Sequence, residues 1–146
     1  TPGQRTEREF LSNSAPSPLA QEFYDLIATT VPLKDFPFYR AGLDVFEGQT
    51  GTETLHTTQE NVEITFHVST MLANNHADDD QFLDKKRHIG NDVVVVVFKE
   101  GDEPVELESF VSQFNRWRAA IDPQTSSSLS GRSRRTAARS TRSPSR

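Results

Sequence analysis

The chain has 146 residues, of which 34% are hydrophobic, and its formal net charge of −5 hides a split. Residues 1–115 hold 8 Lys and Arg against 20 Asp and Glu, whereas residues 116–146 hold 8 Arg against Asp122 alone, a contrast that argues against one packed unit. The absence of cysteine excludes a disulfide frame and a thiolate zinc site and suits an intracellular protein; no run approaches 18 apolar residues, no signal peptide is read, and a start at Thr1 reads as a fragment of a longer protein.

Residues 1–15 are polar and are expected to be flexible. Ser17 followed by Pro18 reads as an N-cap with proline at the first helical position. Leu19, Phe23, Leu26 and Ile27 then recur at helical spacing, which predicts a helix of about three turns with one apolar stripe. The β-branched Thr29, Thr30 and Val31, and then Pro32, are expected to end it. Phe36-Pro37-Phe38-Tyr39 is an aromatic connector, and 45–51 reads as a loop with glycines at 48 and 51.

Two strands are predicted next. The first, 52–58, is weakly patterned. In the second, Val62, Ile64, Phe66 and Val68 alternate with Glu63, Thr65, His67 and Ser69, as a half-buried strand requires. Gln59-Glu60-Asn61 between them predicts a hairpin turn. After a polar loop at 73–77, Asp78-Asp79-Asp80 opens a predicted helix that ends in Lys85, Lys86, Arg87 and His88, with Gly90 as its cap. Acids at the start and bases at the finish complement the helix dipole. Five valines, Val93 to Val97, predict a buried, central strand over 92–98. Gly101-Asp102 predicts a turn, and Leu107, Phe110, Val111 and Phe114 again have helical spacing. Trp117, Ala119, Ala120 and Ile121 show no clear period. From Pro123 onward Ser, Arg, Thr and Ala dominate, a composition too poor in apolar surface to offset chain entropy, so disorder is expected there.

Several chemistries fail on spacing. There is no Gly-x-Ser-x-Gly elbow and no cysteine nucleophile. The four histidines (His56, His67, His76, His88) lack His-x-x-x-His spacing, so no metal is expected. The three aspartates are not a calcium loop, because Leu83 stands where position six needs glycine. No Gly-Lys-Ser/Thr follows the glycines at 48 and 51, so no nucleotide cradle and no cofactor are expected. The arginine-rich tail could touch nucleic acid or an acidic membrane surface by charge, but no stacking aromatic lies among its arginines, so specific nucleic-acid binding is not expected. The segment 85–92 is the richest in information. A polar group set between a helix end and a stiff strand is held rigidly, and Asn91 is such a group. On spacing alone, however, the plainer reading is favoured, with Asn91 a left-handed cap residue and the bases serving only the dipole.

A family resemblance bears on that choice. Arg40-Ala-Gly-Leu-Asp44, Phe66-His-Val-Ser-Thr70 and Lys86-Arg-His-Ile-Gly-Asn-Asp92, in this order and spacing, resemble the catalytic domain of Rap GTPase-activating proteins, the group that includes the tuberin-type and Ral-directed activators. Ser17–Leu33 resembles the helix that opens that domain, and Gly48-Gln-Thr-Gly51 matches its loop. The resemblance covers about residues 16–115. It implies an α/β fold with a mixed central sheet flanked by helices, here a partial domain followed by a disordered basic tail over 116–146. It also implies activation of a GTP-bound, Rap-like small GTPase by an asparagine thumb that orients the attacking water, since Rap lacks the glutamine that most Ras-like GTPases use. By resemblance the thumb is Asn91, with Arg87 and His88 supporting GTPase binding or thumb orientation and Lys86 adding charge toward the partner. The chain would not itself be an enzyme, and it would act in the cytoplasm, with weak membrane-surface contact through the tail. Family members continue past 110–115 with another hydrophobic strand, which is expected to be missing here; the alternative is therefore a truncated, weakly active or inactive GTPase-binding module.

Overall fold

A computed structural model of the chain describes residues 3–75, 81–101 and 117–121. They group into two compact units: Leu11–Ile89, and the described parts of Thr1–Phe10 with Gly90–Arg146. The aspartates at 78–80, predicted to open a helix, the helical spacing at 107–114 and the basic tail beyond 121 lie outside the described residues.

Glu7–Leu11 forms a short helix, α1, where the sequence predicts a flexible segment. A capping box explains it. The Glu9 amide donates to Thr6 Oγ1 at 3.3 Å, and Glu9 Oε2 accepts from the Thr6 and Arg5 amides, each at 2.8 Å. The pattern Thr-x-x-Glu was present in the sequence. These bonds, that from the Arg5 amide first, hold the Glu9 carboxyl below the usual carboxylate range.

The second helix, α2 (Pro18–Ile27), starts as predicted, with Ser17 Oγ accepting from the Ala20 amide at 3.1 Å. Its apolar stripe is not buried as predicted: Ala20 is the buried residue and Leu26 is 83% exposed. The β-branched run does more than end the helix. Thr29–Pro32 is a strand, β1, paired antiparallel with β2 (Glu53–Gln59), which pairs antiparallel with β3 (Val62–Phe66). The β2–β3 hairpin turns at Glu60 and Asn61, with φ of 48° and 71°, as a tight hairpin of matching twist requires.

Burial in this sheet reverses the expected order of the two strands. The weakly patterned β2 is central and buries Thr54, Leu55 and His56 in succession, while Val62 and Ile64 of the cleanly alternating β3 are exposed. A strand bonded on both edges can bury polar side chains when each finds a partner. Thr54 Oγ1 donates to the Phe66 carbonyl at 2.6 Å, and the His56 ring is stacked on Phe38 and met edge-on by Phe36. The core of this unit is Leu33, Leu43, Val45 and Leu72, with Phe36 and Ile89 packed against it. Four of these six residues, Leu33, Phe36, Leu43 and Val45, lie in the stretch between β1 and β2, so that loop must be firmly shaped.

Asp44 shapes it. Its carboxylate accepts from the amides of Gln49 (2.8 Å), Phe46 (3.0 Å) and Glu47 (3.1 Å), while its own amide donates to Thr50 Oγ1 at 2.8 Å. These donors, Gln49 first, lower the Asp44 pKa against an opposing effect of burial. A carboxyl whose folded-state pKa is depressed stabilises the fold above its unfolded value and loses that contribution as pH falls through the folded value. Asp44→Asn is therefore expected to lower the melting temperature at pH 7 and to flatten its decline below pH 4, in thermal unfolding scans of both proteins.

In the second unit, Val94–Phe98 (β4) pairs in parallel with Trp117–Ile121 (β5), and the Lys99 amide extends the ladder to the Ile121 carbonyl at 2.8 Å. Two expectations are corrected here. The valine run is not buried on both faces: Val95 and Val97 are each 8% exposed, but Val94 is 53% and Val96 45%. Strand alternation operates even in a uniform sequence, so one face is covered and the other is open. The second correction concerns residues 117–121, predicted to be tail with a strand missing, which are a strand in register with β4. Trp-Arg-Ala-Ala-Ile has no period of its own; the partner strand decides its conformation. The mixed α/β class holds, with antiparallel pairing in one sheet and parallel pairing in the other.

Candidate functional site

The third helix, α3, runs from Leu83 to Ile89. It is shorter than predicted, because Phe82 has φ of 53° and cannot extend the helix backward. Its last turn carries Lys86, Arg87 and His88, the bases that suit a helix C-terminus.

The four-base run does not act as one surface. Lys85 turns inward and is only 5% exposed, and its Nζ donates to the Leu11 carbonyl at 2.9 Å and the Asn13 carbonyl at 3.4 Å. Its ammonium also lies 5.7 Å from the Phe82 ring centroid. One turn on, Ile89 packs on the core cluster. This pair, four residues apart, defines the inner face of α3 and pins it at both ends. Lysine in a basic run gave no sign of that role; the signal was its i, i+4 relation to the one isoleucine.

Losing the Lys85 ammonium would leave two backbone carbonyls short of a donor, so Lys85→Ala is expected to destabilise the protein by about 1–3 kcal/mol in urea unfolding. Burial pushes the Lys85 pKa below the ordinary lysine value of 10.5. The unfolded chain then binds this proton more tightly than the folded one, so this residue's contribution to stability grows as pH rises toward 10.5. The variant should lack that rise.

Of the other predicted site residues, Arg87 is exposed, and Lys86 and His88 are half-buried. The His88 ring lies against that of His67, with centroids 5.1 Å apart and planes inclined by 57°. His67 was expected on the polar face of its strand with no task; it follows β3 and touches the predicted site. Asn91 is exposed and belongs to the second unit. It lies in the 90–93 stretch that joins the end of α3 to the start of β4. The described non-glycine residues with positive φ are Asp35, Ala41, Glu60, Asn61 and Phe82, so Asn91 is not a left-handed cap. Gly90 likewise lacks the positive φ expected of a cap glycine. The structure thus groups Lys86, Arg87 and His88 on one turn, and the backbone of Ile89 and Gly90 connects them to Asn91.

Among the described residues no cluster of three or more His, Cys, Asp or Glu could hold a metal ion, and no helix is long and apolar enough to cross a membrane. The last turn of α3 offers cations and an imidazole pair, and Asn91 offers a carboxamide; such groups can bind and orient.

The chain matches the Rap/ran-GAP family model over residues 10–141. It is 40% identical over 127 residues to a GTPase-activating protein of Dictyostelium discoideum, covering 84% of this chain and 12% of that protein. Signal-induced proliferation-associated 1-like protein 1 of Mus musculus is 45% identical over 113 residues, or 77% of this chain and 6% of the relative. The chain thus spans only a small part of these relatives. In three dimensions it resembles the TSC2 GAP domain, with a TM-score of 0.76 and 36% identity over 82% of this chain and 63% of that one. The chain belongs to the Rap/ran-GAP family.

Proposed function

We propose that this domain accelerates GTP hydrolysis by a Rap-like small GTPase in its GTP-bound form, with Asn91 supplying a carboxamide that orients the attacking water. The observation that carries the reading is an exposed Asn91 in a four-residue stretch, 90–93, between a pinned helix and a hydrogen-bonded strand. A carboxamide has one acceptor and two donors, so it can hold a water and contact the transferring group together. Phosphoryl transfer leaves a protein little covalent work, and positioning with electrostatic stabilisation supplies the gain. The GTPase brings its own Mg²⁺ and phosphate cradle, so this chain needs no cofactor. Lys86, Arg87 and His88 supply positive charge to an acidic, phosphate-bearing partner, and a local patch steers docking whatever the net charge. The motif wording at 86–92 favours Rap over Ral or Rheb, and such a partner would be met in the cytoplasm. Single-turnover hydrolysis by GTP-loaded Rap, with and without the chain, tests the proposal. Unchanged hydrolysis at saturating chain overturns it, and binding without acceleration would leave a GTPase-binding module.

A further inference from the structure

Three segments far apart in sequence meet at one imidazole. His67 lies just after β3, and its Nε2 is 2.9 Å from the carbonyl oxygen of Ala41. A carbonyl only accepts, so Nε2 carries the proton and the ring's tautomer and tilt are fixed. Ala41 has φ of 51° and Gly42 of 81°, so the carbonyl that receives this proton sits in a left-handed turn, unusual for a residue with a Cβ. The same His67 ring abuts His88 on the last turn of α3, at 5.1 Å between centroids. The three motifs, 40–44, 66–70 and 86–92, are thereby joined in one physical chain: Ala41 carbonyl, His67 ring, His88 ring.

We propose that His67 is a positioning residue for GTPase activation, acting through His88; this rests on the function proposed above. A ring held at one end by backbone presents a stiff surface to its neighbour. It limits how far His88, and with it the turn bearing Arg87, can shift. Asn91 follows His88 by three residues in sequence, so that turn is the thumb's covalent anchor. Misplacement of about 1 Å can cost as much as 100-fold in rate, so a modest loosening is visible in kcat. Ala41 holds its uncommon backbone conformation at a cost, which persists where the surrounding structure requires the geometry.

The test uses the full chain and GTP-loaded Rap. His67→Ala is expected to lower kcat roughly tenfold while KM stays within about twofold. His67→Gln keeps a donor for the Ala41 carbonyl but lacks the ring, so its kcat should fall only about threefold with the fold intact; it carries the test if the alanine variant fails to fold. Adding His67→Ala to His88→Ala should cost nothing further, since residues acting as one unit are not additive. A purely structural role would lower the melting temperature of the variants and leave kcat of the folded protein unchanged, and that result overturns the inference. So does full additivity in the double variant. If the wild-type chain itself gives no acceleration, the proposed function fails and this inference falls with it; if wild type accelerates and both variants match it, only the inference fails.

Discussion

On the proposed function, Asn91→Ala should abolish most of the acceleration, lowering kcat for GTP-loaded Rap about 100-fold or more while leaving KM within about threefold. The reasoning separates binding from chemistry. In the proposed complex, docking draws on a broad surface that includes the cations of α3, and removing one exposed carboxamide takes little from it. In the proposed mechanism, orientation of the attacking water depends on this one carboxamide. The variant should remain folded, because Asn91 is exposed and its backbone is not in the left-handed region that asparagine would be needed to fill. Asn91→Asp sharpens the test. It keeps the shape, replaces the two donors with a second acceptor, and adds a negative charge beside a phosphate; it should be at least as defective as alanine. Acceleration that survives either substitution removes Asn91 from the mechanism.

Much of this architecture was legible in the chain because it is written locally. Ser17-Pro18 announces α2, and a bare hydroxyl caps its first turn. The hairpin at Glu60-Asn61 follows from asparagine's tolerance of positive φ. The candidate site residues come from one run, 86–92, which the structure divides between the last turn of α3 and the segment before β4. Burial was less legible. Three β-threonines and a histidine make β2 look like a surface strand, yet its central place in the sheet and the Phe36 and Phe38 rings around His56 bury its first half. Conversely, the alternation in β3 describes which side chains share a face, and says nothing of whether anything covers that face.

The same distinction explains the mixed outcome at the basic run. Charge along a sequence cannot tell an ammonium that faces a partner from one that satisfies backbone carbonyls 72 and 74 residues away, as Lys85 does. Nor could spacing reveal that His67 reaches both Ala41 and His88, because strand alternation marks it only as polar. Both residues act by holding α3 in place, through long-range pairings that exist only once the fold has formed.

Gly51→Ala should be strongly destabilising, at about 3–5 kcal/mol, or roughly 10–20 °C in melting temperature. Two penalties combine there. Gly51 has φ of 120°, a conformation that residues with a Cβ rarely adopt, and a Cβ built on it would collide with the Met71 carbonyl oxygen. That oxygen belongs to backbone and cannot swing aside like the end of a side chain. Neighbouring bonds leave little room to yield: the Gly51 amide donates to the Gly48 carbonyl at 3.1 Å, the Ala73 amide to the Thr50 carbonyl at 3.2 Å, and Asn75 Nδ2 to the Gln49 carbonyl at 2.7 Å. Gly42→Ala separates the two penalties. Gly42 also has positive φ, 81°, but nothing lies within 4 Å of an added Cβ. It should therefore cost only the conformational term, about 1 kcal/mol. Equal destabilisation of the two variants in urea unfolding would show that the loop at 48–51 gives way to the methyl group, and that its close approach to Met71 is not what holds the segment in place.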